Sequence, residues 1–286
     1  MLVALAACLA GCQATRLPTS MPLSPRFLCQ AEVADAPARF VLDSGCPGTL
    51  LDAGTAARLG LREVPTSELP VLTDVTGRQR RPEGLAQVWG LELGEVSCAP
   101  FPAPLLPPGA LPGLDGILGM NVLGAFAWIF DMPAAQAVLL SPGTLESELA
   151  ARGFRVEGRV PLVRRDHGVF VSVQLDGREV EVKLDTGAAA TTLTRRLVTE
   201  LGLQPVDPAG ADGGESYAVG IHGELRAQQR FRLARMQLGP RELRDVVVTC
   251  HVGGDPPQGN LLGADVLGQI RWAVDWSRGE LVLWSR

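Results

Sequence analysis

Several features that mark other classes of protein are scarce or missing in this chain of 286 residues. Aromatic residues make up 5%, and the net charge is −5 with no block of basic residues. This argues against a nucleic-acid partner, because phosphate contacts need clustered lysine and arginine. No apolar run reaches the roughly 18 residues of a membrane-spanning helix. The three histidines show no ligand spacing with cysteine or acid, so we expect no metal and no cofactor.

The composition that is present favours a turn-rich β protein. Hydrophobic residues make up 46% of the chain, which is enough to bury a core, and 33 glycines and 22 prolines supply many turns. This mixture is more typical of an all-β fold than of a helical bundle.

The N-terminus has the pattern of a targeting segment. Residues 1–11 are apolar and end in small residues before Cys12, and Leu9–Cys12 resembles the lipobox of bacterial lipoproteins. An ordinary signal peptide or a misread start codon is the alternative. We expect residues 1–26 to be a lipoprotein signal peptide and a flexible, Pro-, Ser- and Thr-rich tether. Lipid on Cys12 would anchor the protein to the membrane of the bacterial cell envelope, facing the periplasm or the exterior.

Four further cysteines would then lie in an oxidising compartment. They allow three disulfide pairings, or they stay as free buried thiols, and the sequence does not decide between these states. The residues are Cys29, Cys46, Cys98 and Cys250.

The rest of the chain is a duplicated unit. Four landmarks recur in the same order at an almost constant offset of 142–145 residues, which chance similarity would not maintain. The matching pairs are Phe40–Gly45 with Val182–Gly187, Arg58–Leu61 with Glu200–Leu203, Leu93-Gly94 with Leu238-Gly239, and Ile117–Gly119 with Leu261–Gly263. We expect lobes at 27–142 and 161–286, joined by a connector at 143–160.

Each half has the same predicted elements. A hairpin comes first, with its turn near Ala36-Pro37 in the first half and at Asp176-Gly177 in the second. An acidic triplet follows, then a short helix closed by glycine, at Asp52–Leu59 and at Thr194–Leu201. A further helix is predicted at Thr144–Arg152, and a rigid loop at Pro100–Pro112.

The two acidic triplets are Asp43-Ser44-Gly45 and Asp185-Thr186-Gly187. A single triplet of this kind is weak evidence, because helix caps and Asx turns use the same residue types. Here both triplets follow a predicted strand and precede the same helix and the same apolar-Gly segment, which is Ile117–Gly119 in the first half and Leu261–Gly263 in the second. This repeated context favours a functional role for both.

With these motifs the chain resembles the aspartic peptidases of the pepsin and retropepsin-like group. The resemblance implies an all-β structure with two retropepsin-like β-barrel lobes, few short helices, and a cleft between lobes related by an internal pseudo-two-fold axis. It assigns Asp43 and Asp185 as the catalytic pair. It also implies that the Ser44 and Thr186 hydroxyls bond across to the opposite lobe. Both units lie on one chain, so a monomer suffices to act on a peptide or protein substrate.

The chemistry of paired carboxylates fits peptide hydrolysis independently. Two carboxylates about 3 Å apart cannot both ionise, so they share one proton. The ionised member activates a water and the protonated member donates to the carbonyl oxygen. Gly45 and Gly187 have no Cβ, which lets backbone N–H groups approach the carboxylates.

Two hairpins are candidates for flaps over the cleft, with turns at Gly77 and Gly223. Plain surface hairpins are an equally good interpretation. Pepsin-like enzymes carry a flap tyrosine in the first lobe, whereas the only tyrosine here is Tyr217, so the retropepsin-like interpretation is favoured.

Cys46 and Ala188 follow the triplets at positions where some family members have a serine that favours ionisation. Neither is a strong donor. We therefore expect an activity optimum nearer to neutral pH than that of an acidic pair whose pKa values are strongly lowered.

Two functions of different classes remain open from the sequence. The first is an aspartic endopeptidase, a hydrolase using Asp43 and Asp185. The alternative is a lipid-anchored peptide-binding protein that keeps the cleft and has lost turnover.

Overall fold

The computed structural model describes residues 13–14, 18–66, 69, 71–74, 76–165, 168–206, 216–219 and 225–286. The predicted signal segment with Cys12, and the predicted flap turn at Gly223, lie outside these ranges. Within them, no helix has both the length and the apolar character needed to cross a bilayer.

The described regions are mostly β-strands, with few short helices, which confirms the all-β expectation. The first half contains β1 (Gln13–Ala14), β2 (Thr19–Pro22), β3 (Leu28–Val33), β4 (Ala36–Leu42), β5 (Leu50–Asp52), α1 (Ala53–Arg58), β6 (Leu72–Thr73), β7 (Gln79–Arg80), β8 (Gly84–Val88), β9 (Leu91–Leu93), β10 (Val96–Cys98), β11 (Phe101–Leu106), β12 (Gly116–Leu118), α2 (Met120–Leu123), β13 (Ala127–Asp131), a 3-10 turn (Met132–Ala134) and β14 (Gln136–Leu140). The second half contains α3 (Leu145–Ala151), β15 (Arg155–Arg165), β16 (Gly168–Leu175), β17 (Arg178–Leu184), α4 (Arg195–Glu200), β18 (Gln204–Pro205), β19 (Ser216–Val219), β20 (Leu225–Leu238), β21 (Arg241–His251), β22 (Leu261–Leu262), α5 (Ala264–Leu267), β23 (Arg271–Asp275) and β24 (Glu280–Ser285).

Both lobes use the same strand arrangement around their acidic triplet. In the first lobe, β12 runs parallel to β4 and antiparallel to β5 within a sheet of order β1-β10-β9-β3-β4-β12-β5-β11-β8. In the second lobe, β22 runs parallel to β17. Each triplet follows the end of the longer strand of its parallel pair, so the same local geometry is built twice.

Six neighbouring antiparallel strands of a 13-stranded sheet, β15-β24-β23-β13-β14-β2, join the two lobes. At the centre of these strands Ile129 pairs with Ala273, which is the residue equivalent to Ile129 in the second half, 144 positions later. The pseudo-two-fold axis therefore passes between these two residues. On one face the rings of Phe130 and Trp272 stack 4.3 Å apart, and on the other the rings of Phe154 and Trp284 stack 4.2 Å apart. Leu145 and Leu149 of α3 are buried on the opposite face with Ile129 and Ala273.

The interpretation of all of residues 13–26 as a flexible tether is wrong. Thr19–Pro22 forms β2, which pairs with β14 from Gln136↔Pro22 to Leu139↔Thr19, and Met21 and Leu23 are buried. In the second half, β15 pairs with β24 in the same way, with Glu280 opposite Pro161. The repeat therefore begins before residue 27, and the predicted connector supplies the matching strand of the joining sheet.

Two local predictions in the first lobe are also wrong. The first hairpin turns at Ala34 and Asp35, both with positive φ, and not at Ala36-Pro37. The predicted rigid loop at Pro100–Pro112 contains β11, in which Pro102 and Pro104 pair with β8 on one side only. The parallel neighbour β5 reaches only Leu105 and Leu106, so the prolines have no ladder hydrogen bond to lose on that side.

The helix predictions are confirmed. The Asp52 side chain caps α1 by accepting from the N–H groups of Gly54 and Thr55, and Thr194 caps α4 through Leu197 N–H. Gly60 and Gly202 follow these helices with φ of +62° and +63°, in the left-handed conformation that ends a helix.

Candidate active site

Parallel strand pairs hold the two acidic residues at equivalent positions. Asp43 follows β4 directly, and its N–H donates to the Leu118 carbonyl of β12 at 2.9 Å. Asp185 follows β17, and its N–H donates to the Leu262 carbonyl of β22 at 3.0 Å. The backbone at each carboxylate is therefore fixed by its own lobe.

The fold brings Asp43 and Asp185 together between the lobes. The Cα of Gly45 faces the Asp185 carboxylate so closely that an added Cβ would lie 2.6 Å from its Oδ1. Gly187 faces Asp43 in the same way, and a Cβ there would also lie 2.6 Å from Oδ1. Since real Cβ atoms do not approach a neighbour within 3.0 Å, both positions require glycine. Each glycine therefore makes room for the acid of the opposite lobe.

Ser44 and Thr186 link the two triplets through a buried network of hydrogen bonds. The Ser44 N–H donates to Thr186 Oγ1 at 2.9 Å, and the Thr186 N–H donates to Ser44 Oγ at 3.1 Å. The Ser44 hydroxyl donates to the Leu184 carbonyl, and the Thr186 hydroxyl to the Leu42 carbonyl. Every one of these bonds crosses between lobes, as the family resemblance implied.

Backbone donors and burial define the electrostatics of the pair. Asp43 Oδ1 accepts from the N–H groups of Gly45 and Cys46 at 2.7 and 3.1 Å, and Asp185 Oδ1 accepts from Ala188 N–H at 2.9 Å. Burial and the negative charge of Asp185 raise the pKa of Asp43 to about 7, against the lowering effect of the Lys183 charge. The two titrations belong to the pair as a whole. The pair therefore retains a proton at weakly acidic pH.

The residues after the triplets leave the carboxylates without a side-chain donor of their own. The Cys46 thiol donates to the Gly48 carbonyl, and burial raises its pKa, so it stays neutral. Ala188 contributes only its backbone N–H. Neither carboxylate therefore has a side-chain donor from the residue after its triplet, and this is the condition from which we expect an activity optimum near neutral pH.

The apolar-Gly segments lie directly beneath the triplet loops. Met120 N–H donates to the Cys46 carbonyl and Ala264 N–H donates to the Ala188 carbonyl. A Cβ on Gly119 would lie 2.8 Å from the Cys46 carbonyl oxygen, so this close approach requires glycine.

Sequence reasoning missed a pair of threonines that fasten these segments. Thr49 Oγ1 accepts from Gly119 N–H at 3.4 Å, and Thr191 Oγ1 accepts from Gly263 N–H at 3.0 Å. The two threonines are 142 residues apart, the offset of the triplets, so the repeat contained the signal.

The first flap candidate is a short hairpin of β6 and β7 that reaches the opposite lobe. Gly77 lies in its turn with φ of +85°, and Asp74 Oδ1 accepts from the N–H groups of Thr76 and Arg78. Arg226 donates to the Thr76 carbonyl at 2.9 Å, and Gln258 donates to the Asp74 carbonyl at 3.0 Å. In the second lobe β19 and β20 pair as a hairpin, and its turn with Gly223 lies outside the described residues.

The four cysteines after Cys12 are all free thiols, and Cys29, Cys98 and Cys250 are buried. In the described ranges, no cluster of three or more His, Cys, Asp or Glu side chains has the arrangement of a metal site.

Comparisons with known proteins match the two halves separately. A family model described as "Aspartyl protease" matches residues 29–122, and one described as "gag-polyprotein putative aspartyl protease" matches residues 171–269. A retropepsin-like aspartic protease from Rickettsia conorii is 19% identical in its crystal structure, covering 46% of this chain and 92% of that chain with a TM-score of 0.33. A comparison with the curated proteins finds no match.

Proposed function

We propose that this chain, both halves of which match models of aspartyl protease families, is a retropepsin-like aspartic endopeptidase whose catalytic residues are Asp43 and Asp185. The observation that carries the proposal is the meeting of the two carboxylates, each packed against the triplet glycine of the opposite lobe. Together with a raised pKa of Asp43, this supports a pair that holds one proton between two acids.

The proposed reaction needs both protonation states at once. The ionised carboxylate removes a proton from a water molecule as the water oxygen bonds to the peptide carbonyl carbon. The protonated carboxyl gives its proton to the carbonyl oxygen, which forms a neutral tetrahedral diol. When the C–N bond then breaks, the leaving nitrogen takes a proton from the pair and the diol returns its own, so the pair ends with one proton again.

The proposal also includes a monomer with one site. The cross-lobe hydrogen bonds of Ser44 and Thr186 lie within one chain, so both halves of the site come from the same molecule. Light scattering after size exclusion is expected to give a mass near 30.3 kDa for the active species, less any signal peptide removed. An active dimer with an inactive monomer would contradict this part.

We further propose that Cys12 carries a lipid anchor in the cell envelope, on the basis of the Leu9–Cys12 pattern. Mass spectrometry of the protein purified from membranes is expected to find diacylglyceryl on Cys12 and to lose it in Cys12→Ala. Recovery of unmodified wild-type protein from the soluble fraction would contradict the anchor.

Cleavage of casein and of a peptide library from pH 3 to pH 8 tests the peptidase proposal. Asp43→Asn and Asp185→Asn are each expected to abolish cleavage. Asp245→Asn is the matched control, because Asp245 is 75% exposed at its side chain and asparagine tolerates its positive φ of 53°. Peptide binding without cleavage by the wild type would contradict the peptidase and support the peptide-binding alternative.

A further inference from the structure

The only lysine of the chain lies beside the acidic pair. The sequence has 25 arginines and a single lysine, Lys183, two residues before Asp185. Lys183 is 3% exposed, which is unusual because lysine is almost never fully buried without a partner. A single buried lysine in a chain whose other basic residues are all arginines needs a specific explanation.

The Lys183 side chain crosses to the loop that carries the other acid. Its Nζ donates to the Gly45 carbonyl at 2.7 Å, and the Gly45 N–H in turn binds Asp43 Oδ1. The stem packs against Gly168, where an added Cβ would lie 3.1 Å from Lys183 Cδ and closer still to Cε. Glycine at 168 therefore leaves the space that the lysine stem occupies.

The charge of Lys183 acts on the acidic pair without a direct ion pair. Its ammonium binds the Gly45 carbonyl and lowers the pKa of Asp43, and in the described part of the chain no salt bridge joins it to any carboxylate. The titratable groups grouped here are Asp43, Asp185, Lys183 and the Cys46 thiol, and burial keeps that thiol neutral. The lysine is therefore the cation that offsets the negative charge of the pair.

The cation breaks the symmetry of the duplicated unit. At the repeat offset of 142 residues, the first-half counterpart of Lys183 is Val41, which carries no charge. At this position lysine places a compact point charge on a flexible stem.

We propose that Lys183 is a positioning residue that anchors the Gly45 loop across the lobes and, as a fixed cation, keeps one member of the acidic pair ionised. This role rests on the proposed peptidase function and deepens it. A merely structural lysine would hold the loop without influencing ionisation, so the two roles differ in their dependence on pH.

The first test is the pH profile of kcat/KM for the full chain. Lys183→Met keeps the stem and removes the charge. Without the cation the pKa values of the acidic pair rise, so both limbs of the profile are expected to move to higher pH by about 1 pH unit. Lys183→Arg is expected to return the limbs toward wild type. Arg196→Met, which removes a charge from a side chain that is 84% exposed, is expected to leave the limbs in place. Loss by the same factor at every pH in Lys183→Met, with unmoved limbs, would overturn the proposal.

The second test needs no turnover and no substitution at Lys183. Because the chain has one lysine, 13Cε-lysine labelling gives a single side-chain signal in the wild-type protein. This signal is expected to shift as the acidic pair titrates, and to lose that inflection in Asp43→Asn. A signal without inflection from pH 4 to pH 8 would overturn the proposal. A coupled lysine signal in a protein that cleaves no peptide would support the charge coupling and reject only the peptidase function.

Discussion

Asp43 carries a cost in stability that grows with pH. Burial and the negative charge of Asp185 raise its pKa from 3.8 to about 7. Because the folded pKa lies above the unfolded value, the folded state holds this proton where the unfolded state has released it. The stabilising contribution is therefore complete below about pH 4 and is lost as the pH rises to about 7.

Asp43→Asn removes this ionisation while it keeps the shape of the side chain. The amide oxygen still accepts from the N–H groups of Gly45 and Cys46, and the amide nitrogen presents donors to Asp185. The interval from 3.8 to about 7 is about 3 pH units, and each unit corresponds to about 1.4 kcal/mol. Between pH 4 and pH 8 we therefore expect the free energy of unfolding of the variant to rise by up to about 4 kcal/mol relative to that of the wild type.

Paired urea titrations at pH 4, 6 and 8 measure this gain in the free energy of unfolding. The exposed Asp245→Asn variant, compared in the same way, is expected to show no such trend. A difference between Asp43→Asn and wild type that is constant with pH would refute the reasoning. So would a wild type that gains on the variant as the pH rises.

Four further predictions concern single features of the site. Ser44→Ala removes one donor and one acceptor of the buried cross-lobe network, so it is expected to lower the free energy of unfolding by about 2 kcal/mol in urea titrations. Gly187→Ala forces a Cβ onto Asp43 and is expected to lower kcat/KM at least about 100-fold, whereas Gly84→Ala, with its nearest neighbour at 3.7 Å, retains activity. Arg226→Ala removes the hydrogen bond to the Thr76 carbonyl in the β6–β7 hairpin and is expected to speed amide hydrogen exchange in β6 and β7. Because the raised pKa belongs to a pair that must keep one proton, kcat/KM is expected to fall as the pH rises through about 7, and a peak below about pH 3 would contradict this.

Repetition made much of this architecture readable from the sequence. The constant offset of the triplets indicated two equivalent lobes, and the cap residues Asp52 and Thr194 with their closing glycines located two helices. These signals are local or periodic, so they can be recognised in the sequence without knowledge of distant contacts. The meeting of Asp43 with Asp185 followed from the family resemblance and from the symmetry of the two halves.

The errors arose where a distant partner decides the local structure. Thr19–Pro22 has the composition of a tether, and it becomes a strand because β14 offers an unpaired edge. Pro102 and Pro104 are tolerated in β11 because only one side of the strand is paired at those positions. The asymmetric Lys183 has no counterpart in the first half, so a search for repeated features could not find it.

The central claim is that two carboxylates from different halves of the chain share one proton. Titration of 13Cγ-labelled aspartate signals measures this directly, with Asp43→Asn and Asp185→Asn for assignment. The account predicts that the Asp43 signal has a step near pH 7, and that this step moves to lower pH in Asp185→Asn, which removes the neighbouring negative charge. Two aspartates that both titrate independently below about pH 5, as ordinary carboxyl groups do, would contradict it.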